Sequence, residues 1–205
     1  MAARAEVAVR SPDLSGENAA DSAALTAGLA YVERCLRAHR SFGILTGSVK
    51  PMCFLVARAS ASLGGRDDLH LVRLTTPTDS VYVFLSGLLG QLGFELGQAG
   101  QDDLHNLFVV FLKHEAARGR RTVAIIEAAE QCGPRVLEYL EVLCKVRGGP
   151  TPAITFLLAG SRDLHRVLDS PGMARIRQLT RERFDLDRSL AWVRPPGVPA
   201  DGRDL

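Results

Sequence analysis

Short apolar runs alternate along this sequence with longer segments in which apolar residues recur every three or four positions. The runs are typical of strands buried in a sheet, and the longer segments are typical of helices that bury one face. Strands are predicted at residues 42–45, 69–74, 122–126 and 153–159, with a short last one at 184–186. Because strands alternate with helices at least four times, the pattern predicts an α/β fold with a mainly parallel sheet covered on both faces.

The helices are placed between the strands by their apolar stripes and by their start and stop signals. The first is expected to begin near Asp21 or Ser22 as N-cap, and Asp102 or Asp103 is expected to cap a later one. Pro134 fits the first turn of another helix, where its missing N–H group would have no partner. Further helices are predicted from Met52 onward, at 80–92, at 163–168 and at 172–181, with breaks at 93–100 and 148–150.

The two ends of the chain lack this periodicity. Residues 1–20 are rich in Ala, Ser, Asp and Gly, and residues 191–205 are rich in Pro and Gly. The sequence therefore predicts a flexible arm at 1–20, one α/β domain at 21–190 and a disordered tail at 191–205.

Composition argues against several classes of protein. No apolar run approaches the ~20 residues that cross a bilayer, and the N-terminus has no apolar segment typical of a secretory signal, so no membrane insertion is expected. Four cysteines without a CxxC pair and five histidines without metal-ligand spacing predict a cytoplasmic protein with reduced thiols and no metal site. A formal charge of +2 indicates no strong bulk attraction to nucleic acid or anionic lipid.

The stretch from residue 42 to residue 63 has the strand–loop–helix layout of a phosphate-binding loop. Such a loop follows the pattern G-x-x-x-x-G-K-[ST], in which glycines admit phosphates to backbone N–H groups. The Lys contacts the β- and γ-phosphates, and the hydroxyl binds Mg²⁺. Here Gly47 opens the pattern, and it is followed by Ser48, Val49 and Lys50.

The rest of that pattern is replaced. Met52, Cys53 and Phe54 stand where the second Gly, the Lys and the Ser/Thr are expected, and Pro51 removes one N–H donor from the expected loop. The sequence therefore predicts a vestigial nucleotide loop, with an ordinary turn between strand and helix as the alternative.

Three groups of residues are predicted to share one edge of the sheet. The C-terminal ends of parallel strands face the same way, and ligands of such sheets bind there. The segments that follow the first, third and fourth strands are 47–53, 127–130 and 160–162. We expect Gly47, Glu127 and Gly160 to lie close together at this edge, where any chemistry should occur.

Three stretches of sequence carry a family resemblance. They are ALTAGLAYVERCLRAHRSFGILTGSV, GRRTVAIIEAAEQCGPRVLEYLEVLCKV and ITFLLAGSRDLHRVLDSPGMARIRQLTRERFDLDRSL. They resemble, in turn, the entry to the nucleotide loop, the second nucleotide motif and the sensor region of ExeA/GspA-type AAA+ ATPases. That family includes secretion, exopolysaccharide and transposition helper ATPases. The similarity covers roughly residues 22–190 and implies a P-loop NTPase fold, a three-layer αβα sandwich. It ends where the family's small helical lid begins.

The resemblance also implies an ATP site with Mg²⁺, but the positions that carry this chemistry differ here. Cys53 and Phe54 replace the family's Lys and Thr, Glu127 replaces the Asp on the Mg²⁺ side, and Ala128 replaces the Glu that activates water. Leu179 stands where the family has its arginine finger. Loss of a finger alone costs ~10³–10⁵ in rate, so no catalytic residue and no bound cofactor are expected.

The leading interpretation is a pseudo-ATPase that keeps the AAA+ fold as an interaction or assembly module. Its expected partner is another protein, either an active AAA+ paralogue or membrane-associated assembly machinery. One alternative is an ATP-binding switch or weak ATPase of the same family, in which Lys50 reaches a phosphate from a distorted loop. A local sequence artefact in residues 50–54 would give the same pattern, although Ala128 and Leu179 lie outside that window.

A third interpretation is a DNA-associated helper of the transposition type. It rests on the basic density formed by Arg162, Arg166, Arg175, Arg177, Arg181 and Arg183. Acidic residues are interspersed among these arginines, which favours a solvated face over nucleic-acid binding.

Overall fold

The computed structural model describes residues 19–180 and 182–193. The predicted arm and tail lie outside these ranges, except where the first and last helices extend into them. The first helix begins at Ala19 and the last ends at Val193, so the boundaries predicted at 20 and 190 both fall inside helices. The last helix was missed because it is short; Leu186 and Leu190 of this helix pack against the core.

Eight helices and seven strands make up the described ranges. The helices are α1 (Ala19–Arg37), α2 (Val49–Gly64), α3 (Val81–Gln91), α4 (Gln101–Ala117), α5 (Pro134–Leu143), α6 (Asp163–Leu168), α7 (Ala174–Leu179) and α8 (Leu186–Val193). The strands are β1 (Phe42–Thr46), β2 (Leu69–Leu74), β3 (Arg121–Ile126), β4 (Arg147–Gly148), β5 (Thr151–Pro152), β6 (Ile154–Gly160) and β7 (Arg183–Asp185). Short 3₁₀ turns lie at Ala129–Gln131 and Pro171–Met173.

Five of the strands form one parallel sheet in the order β2-β3-β6-β1-β7. β1 lies between β6 and β7: Phe42 pairs with Phe156 of β6, and Ile44 pairs with Arg183 of β7. Every residue of β1 and β6 is buried, as expected for strands covered on both faces. The predicted parallel sheet is confirmed, and Gly47, Glu127 and Gly160 lie at its C-terminal edge as predicted.

The two faces of the sheet bury separate cores, because successive side chains of a strand point to opposite faces. Ile44 and Leu158 pack into one core with α3, α4, α5, α6 and α7. Leu45 and Leu157 pack into the other core with α1, α2 and α8. This alternation gives the three-layer αβα sandwich that the sequence predicted.

One local element was missed and one local prediction was wrong. β4 and β5 form a two-stranded hairpin around residues 149–150, where the sequence indicated only a break, because strands of two residues carry no periodic signal. The N-cap of α4 is Gly100 rather than Asp102 or Asp103. Asp103 instead accepts a hydrogen bond from the Gly100 N–H group (3.1 Å), which is the reciprocal half of a capping box.

None of the helices in the described ranges is both long and apolar enough to span a bilayer.

Candidate functional site

A cleft of about 230 Å³ opens at the C-terminal edge of the sheet, between the ends of β1, β3 and β6. Five residues of the predicted site and its second motif line it: Gly47, Val49, Cys53, Glu127 and Ala128. Residues that the prediction placed on the same edge, among them Glu130, Gly160 and Ser161, also line it. The structure therefore brings the two predicted motifs together in one place.

The connection from β1 to α2 is much shorter than a phosphate-binding loop. Only Gly47 and Ser48 separate the strand from the helix, because α2 begins at Val49 and not at Met52. Pro51 is consequently the third residue of α2, where its missing N–H group has no helical partner to lose. The prediction that Pro51 lies in the middle of a loop was wrong, because residues 49–51 belong to the first turn of α2.

The anion at the start of α2 is a carboxylate of the same chain. The Ser48 N–H group donates a hydrogen bond to Oδ1 of Asp187 in α8 (2.9 Å). Helix N-termini favour negative charge because their first N–H groups are unpaired, and phosphates bind many proteins at such positions. The Arg162 guanidinium lies 3.6 Å from Oδ2 of the same carboxylate. Asp187 therefore takes the Ser48 N–H group, one of the donors that a phosphate at this helix end would use.

Side chains enclose Gly47 on two sides. A Cβ atom placed on Gly47 would lie 3.0 Å from Cβ of Leu186 and 3.4 Å from the methyl carbon of Met52. Met52 is buried, so the position of the motif's second glycine carries an apolar side chain packed over the first. The close approach leaves little free space beside the Gly47 backbone.

The second motif is held by an ion pair. Glu127, directly after β3, accepts a hydrogen bond from Nε of Arg73 in β2, and both side chains are largely buried. The hydrogen bond to Glu127 raises the pKa of the Arg73 guanidinium above its ordinary value. Arg73 thus neutralises the carboxylate that would otherwise be available to a metal ion.

Ala128 lies in a backbone conformation that L-residues rarely adopt. Its φ and ψ angles are 46° and 43°, in the left-handed helical region, and it precedes the 3₁₀ turn at Ala129–Gln131. Left-handed backbone costs roughly 1–2 kcal/mol for a residue with a Cβ atom. The strained residue is therefore Ala128, which stands where ExeA/GspA-type ATPases have the Glu that activates water.

Replacing Ala128 with glycine is expected to raise the free energy of unfolding by about 1 kcal/mol, because glycine adopts positive φ without this cost. Thermal or denaturant unfolding measures the change. The control is Ala57→Gly inside α2, which should lower stability by about 1 kcal/mol. A loss of stability in Ala128→Gly would contradict the strain at this position.

Glu130 joins the turn after β3 to the end of β6. Its Oε1 accepts a hydrogen bond from the Ser161 N–H group (3.1 Å), and its Oε2 is buried with no hydrogen-bond partner among the described residues. A Cβ atom on Gly160 would lie 2.1 Å from that Oε2. The glycine at the end of β6 therefore makes room for this carboxylate.

The remaining predicted site residues lie outside the cleft. Lys50 is exposed and Phe54 packs partly buried against the core on the α1 and α2 face. Leu179, at the end of α7, packs against the opposite core. Ser48 takes part only through its backbone, as described for Asp187. Sequence reasoning missed Arg73 and Asp187. The one available signal for Asp187 was its position just after the last strand, at the same edge.

The arginines that follow β6 bond to other groups of the same chain. Arg166 pairs with Asp163, and Arg183 contacts Asp169 at 3.1 Å. Arg177 donates to two backbone carbonyls, and Arg175 donates to Gln178. Arg181 lies outside the described residues. These pairings agree with the solvated face that the interspersed acidic residues indicated.

Comparison with known proteins identifies the fold. No family model and no curated protein sequence matches this chain. Among solved structures, Cdc6p from Pyrobaculum aerophilum aligns with a TM-score of 0.58 and 13% identity over 85% of this chain and 48% of its own. The ADP form of the Aeropyrum pernix ORC2 protein aligns with a TM-score of 0.52 and 17% identity over 79% of this chain and 47% of its own.

A chain in the structure of Drosophila ORC bound to AT-rich DNA and Cdc6 aligns with a TM-score of 0.53 and 12% identity over 82% of this chain and 58% of its own. Our chain thus spans about half the length of these proteins. The likeness confirms the predicted AAA+-type P-loop NTPase fold. At this identity it bears on the fold alone, and the relation to ExeA/GspA-type ATPases stays a prediction.

The groups around the cleft do not fit a triphosphate with Mg²⁺. A phosphate-binding loop offers several backbone N–H groups, a Lys and a hydroxyl. Here the Ser48 N–H group is bonded to Asp187, the exposed thiol of Cys53 stands at the Lys position, and Glu127 is paired with Arg73. The cavity is also smaller than the ~300–1,000 Å³ of typical ligand sites.

Proposed function

We propose that this protein is a pseudo-ATPase, an AAA+-like module that assembles with other proteins without using nucleotide. The observation that carries the proposal is the hydrogen bond from Ser48 N–H to Asp187, made across a two-residue turn. A site that is filled by a carboxylate of its own chain has no need of phosphate to complete it. The single α/β domain, the cytoplasmic location and the ExeA/GspA relationship belong to this proposal.

A role in assembly is supported by an exposed apolar side chain beside the cleft. Val49, in the first turn of α2, is 73% exposed although it lines the cleft. A partner that covers the cleft would bury this side chain. One structure of similar fold is itself a multiprotein complex, ORC with Cdc6 on AT-rich DNA. The partner we propose is a protein, either an active AAA+ paralogue or membrane-associated assembly machinery.

Mg·ATP is expected neither to raise the melting temperature of the protein nor to be hydrolysed above background. Each charged hydrogen bond in a triphosphate clamp contributes ~1.5–3 kcal/mol, so losing two or three weakens binding by orders of magnitude. A ligand stabilises a fold only by binding it. Calorimetric titration, thermal shift and phosphate release on purified protein test this expectation.

Two variants make that test sharper. Asp187→Ala frees the Ser48 N–H group, and Cys53→Lys restores one charge. Neither is expected to produce turnover, because Ala128 cannot orient a water molecule. Micromolar affinity for Mg·ATP in the unaltered chain would overturn the proposal and favour the ATP-binding switch instead.

The partner is expected to dock on the cleft side of the protein. Cys53 is the exposed cysteine of the four, and it lines the cleft, so a thiol-reactive crosslinker attached there reports on that surface. A crosslinked partner should be lost in Val49→Glu and retained in Val110→Glu, since Val110 is similarly exposed (63%) but lies on α4. Crosslinks that persist in Val49→Glu would show that Val49 takes no part in docking, and a partner that binds the unaltered chain without crosslinking to Cys53 would place the docking surface elsewhere.

A further inference from the structure

A second cavity, of about 410 Å³, lies at the opposite end of the sheet from the cleft. Its walls come from the last turn of α1, the turn into β1 and the residue before β7. The residues that line it include three arginines, Arg34, Arg37 and Arg40. Cys35, Phe42 and Glu182 also line it. Phe42 begins β1 and Gly47 follows it, so about 16 Å of strand separates this cavity from the cleft.

Most of the positive charge in the cavity is not paired with a carboxylate of the described residues. Neither Arg37 nor Arg40 makes a side-chain hydrogen bond or ion pair with any described residue. Arg34 approaches Glu182 only at 3.8 Å, and these two side chains are 57% and 62% exposed. Three arginines and one carboxylate therefore line this cavity, and two of the arginines form no ion pair with any of the described residues.

The backbone that carries these arginines is fixed. His39 has a φ of 50°, its N–H group donates to the Leu36 carbonyl (3.1 Å), and the Arg40 N–H group donates to the Cys35 carbonyl (2.9 Å). This is a Schellman motif at the end of α1, with histidine in the position that usually holds glycine. The Arg40 carbonyl also accepts a hydrogen bond from Thr155 of β6 (2.8 Å). The turn thus holds Arg40 close to the helix end.

The usual structural role of basic residues at a helix end explains only part of this arrangement. Arg34 and Arg37 lie in the last turn of α1, where positive charge is stabilised by the helix dipole. Arg40 lies beyond the end of the helix, and the Schellman motif turns the backbone so that Arg40 lines the same cavity. Capping of the helix end does not require a third arginine in the same cavity.

We propose that this cavity binds a phosphate group. Guanidinium is always charged and presents a planar fork of donors that matches phosphate oxygens, and arginine clusters of this kind recognise phosphorylated ligands. The phosphate belongs either to a small phosphate compound or to the backbone of a nucleic acid. Because the site lies away from the cleft, it is independent of the pseudo-ATPase proposal.

The test uses the full 205-residue chain and two probes. Inorganic pyrophosphate is titrated by calorimetry, and a fluorescent single-stranded oligonucleotide of about 12 nucleotides is titrated by anisotropy at low and high salt. The variant Arg37→Gln/Arg40→Gln is expected to weaken binding of the responding probe roughly tenfold or more. The matched control is Arg135→Gln, an exposed arginine at the other end of the sheet, which should change binding by less than about twofold.

A second variant acts in the opposite direction. Glu182→Gln removes the one carboxylate of the cavity and should tighten binding about threefold. Binding of pyrophosphate alone identifies a small phosphate ligand, whereas tighter, salt-dependent binding of the oligonucleotide identifies a nucleic-acid backbone. The proposal is overturned if neither probe binds, if Arg135→Gln weakens binding as much as the double variant, or if Glu182→Gln leaves affinity unchanged.

Discussion

Replacing Glu115 with glutamine is expected to lower the free energy of unfolding by about 2–3 kcal/mol. Glu115, near the end of α4, is 5% exposed, and its carboxylate accepts hydrogen bonds from three side chains. Arg120 and His70 donate to Oε2, and His114 donates to Oε1 at 2.9 Å. Glutamine keeps the shape but loses the charge and leaves at least one of these donors without an acceptor.

The contribution of Glu115 depends on pH with a defined sign. The hydrogen bond from Arg120, with those from His70 and His114, holds the pKa of this carboxyl well below its ordinary value of 4.5. A carboxyl with a depressed folded-state pKa contributes its stability fully above the unfolded-state pKa and loses it as pH falls. The contribution of the Glu115 charge to the stability difference between the native protein and Glu115→Gln should therefore be fully present above about pH 4.5 and shrink as the pH falls below it.

Denaturant titrations at several pH values provide the measurement. The matched control is Glu95→Gln, which removes an exposed carboxylate and should change stability by less than about 0.5 kcal/mol. A Glu115→Gln difference that stays the same down to pH 3 would show that the charge of Glu115 is not what stabilises the cluster.

Replacing Gly133 with alanine is expected to cost about 2–3 kcal/mol, because the added methyl group has no space. Gly133 is the N-cap of α5, and its N–H group donates to the Thr78 carbonyl in the turn that leads into α3. A Cβ atom on Gly133 would lie 2.6 Å from Cβ and 2.8 Å from Cα of Asp79. Because one of these atoms is backbone, rotation of a side chain cannot relieve the overlap.

The matched control for Gly133 is Gly100→Ala. Gly100 is also a helix N-cap, but there a Cβ atom would meet nothing closer than 3.5 Å, at Oδ2 of Asp103. That change should cost less than about 1 kcal/mol, the difference between glycine and alanine at an N-cap. Adding Asp79→Gly to Gly133→Ala should restore part of the lost stability, since it removes the 2.6 Å contact and leaves the 2.8 Å one. Equal melting temperatures for Gly133→Ala and Gly100→Ala would contradict the close packing of α3 against α5.

Local signals in the sequence were sufficient to predict the sheet. β2 has the predicted bounds because its apolar run is flanked by turn residues, and Pro134 opens α5 as its backbone chemistry requires. The common edge of Gly47, Glu127 and Gly160 followed from parallel strand direction alone. These features depend on residues that are neighbours in sequence or on a general rule of the fold.

The inner structure of the candidate site depends on contacts that the sequence does not display. The early start of α2 was missed because residues 48–51 have no helical period, and the motif they resemble is a loop. The bond from Ser48 to Asp187 joins distant parts of the chain, and nothing local to either residue indicates it. The left-handed conformation of Ala128 was not predicted either, since alanine is a poor indicator of positive φ.

The position of β1 inside the sheet also affects how the protein is made. Its neighbours in the sheet are β6 and β7, which pair Phe156 and Arg183 with residues near the start of the described chain. During synthesis β1 therefore leaves the ribosome long before either neighbour, with the N–H and C=O groups of both edges unpaired and its apolar side chains uncovered. Folds dominated by such distant pairings form slowly, and exposed strand edges promote aggregation. In the cell, the nascent chain should depend on chaperones until β6 and β7 have been translated.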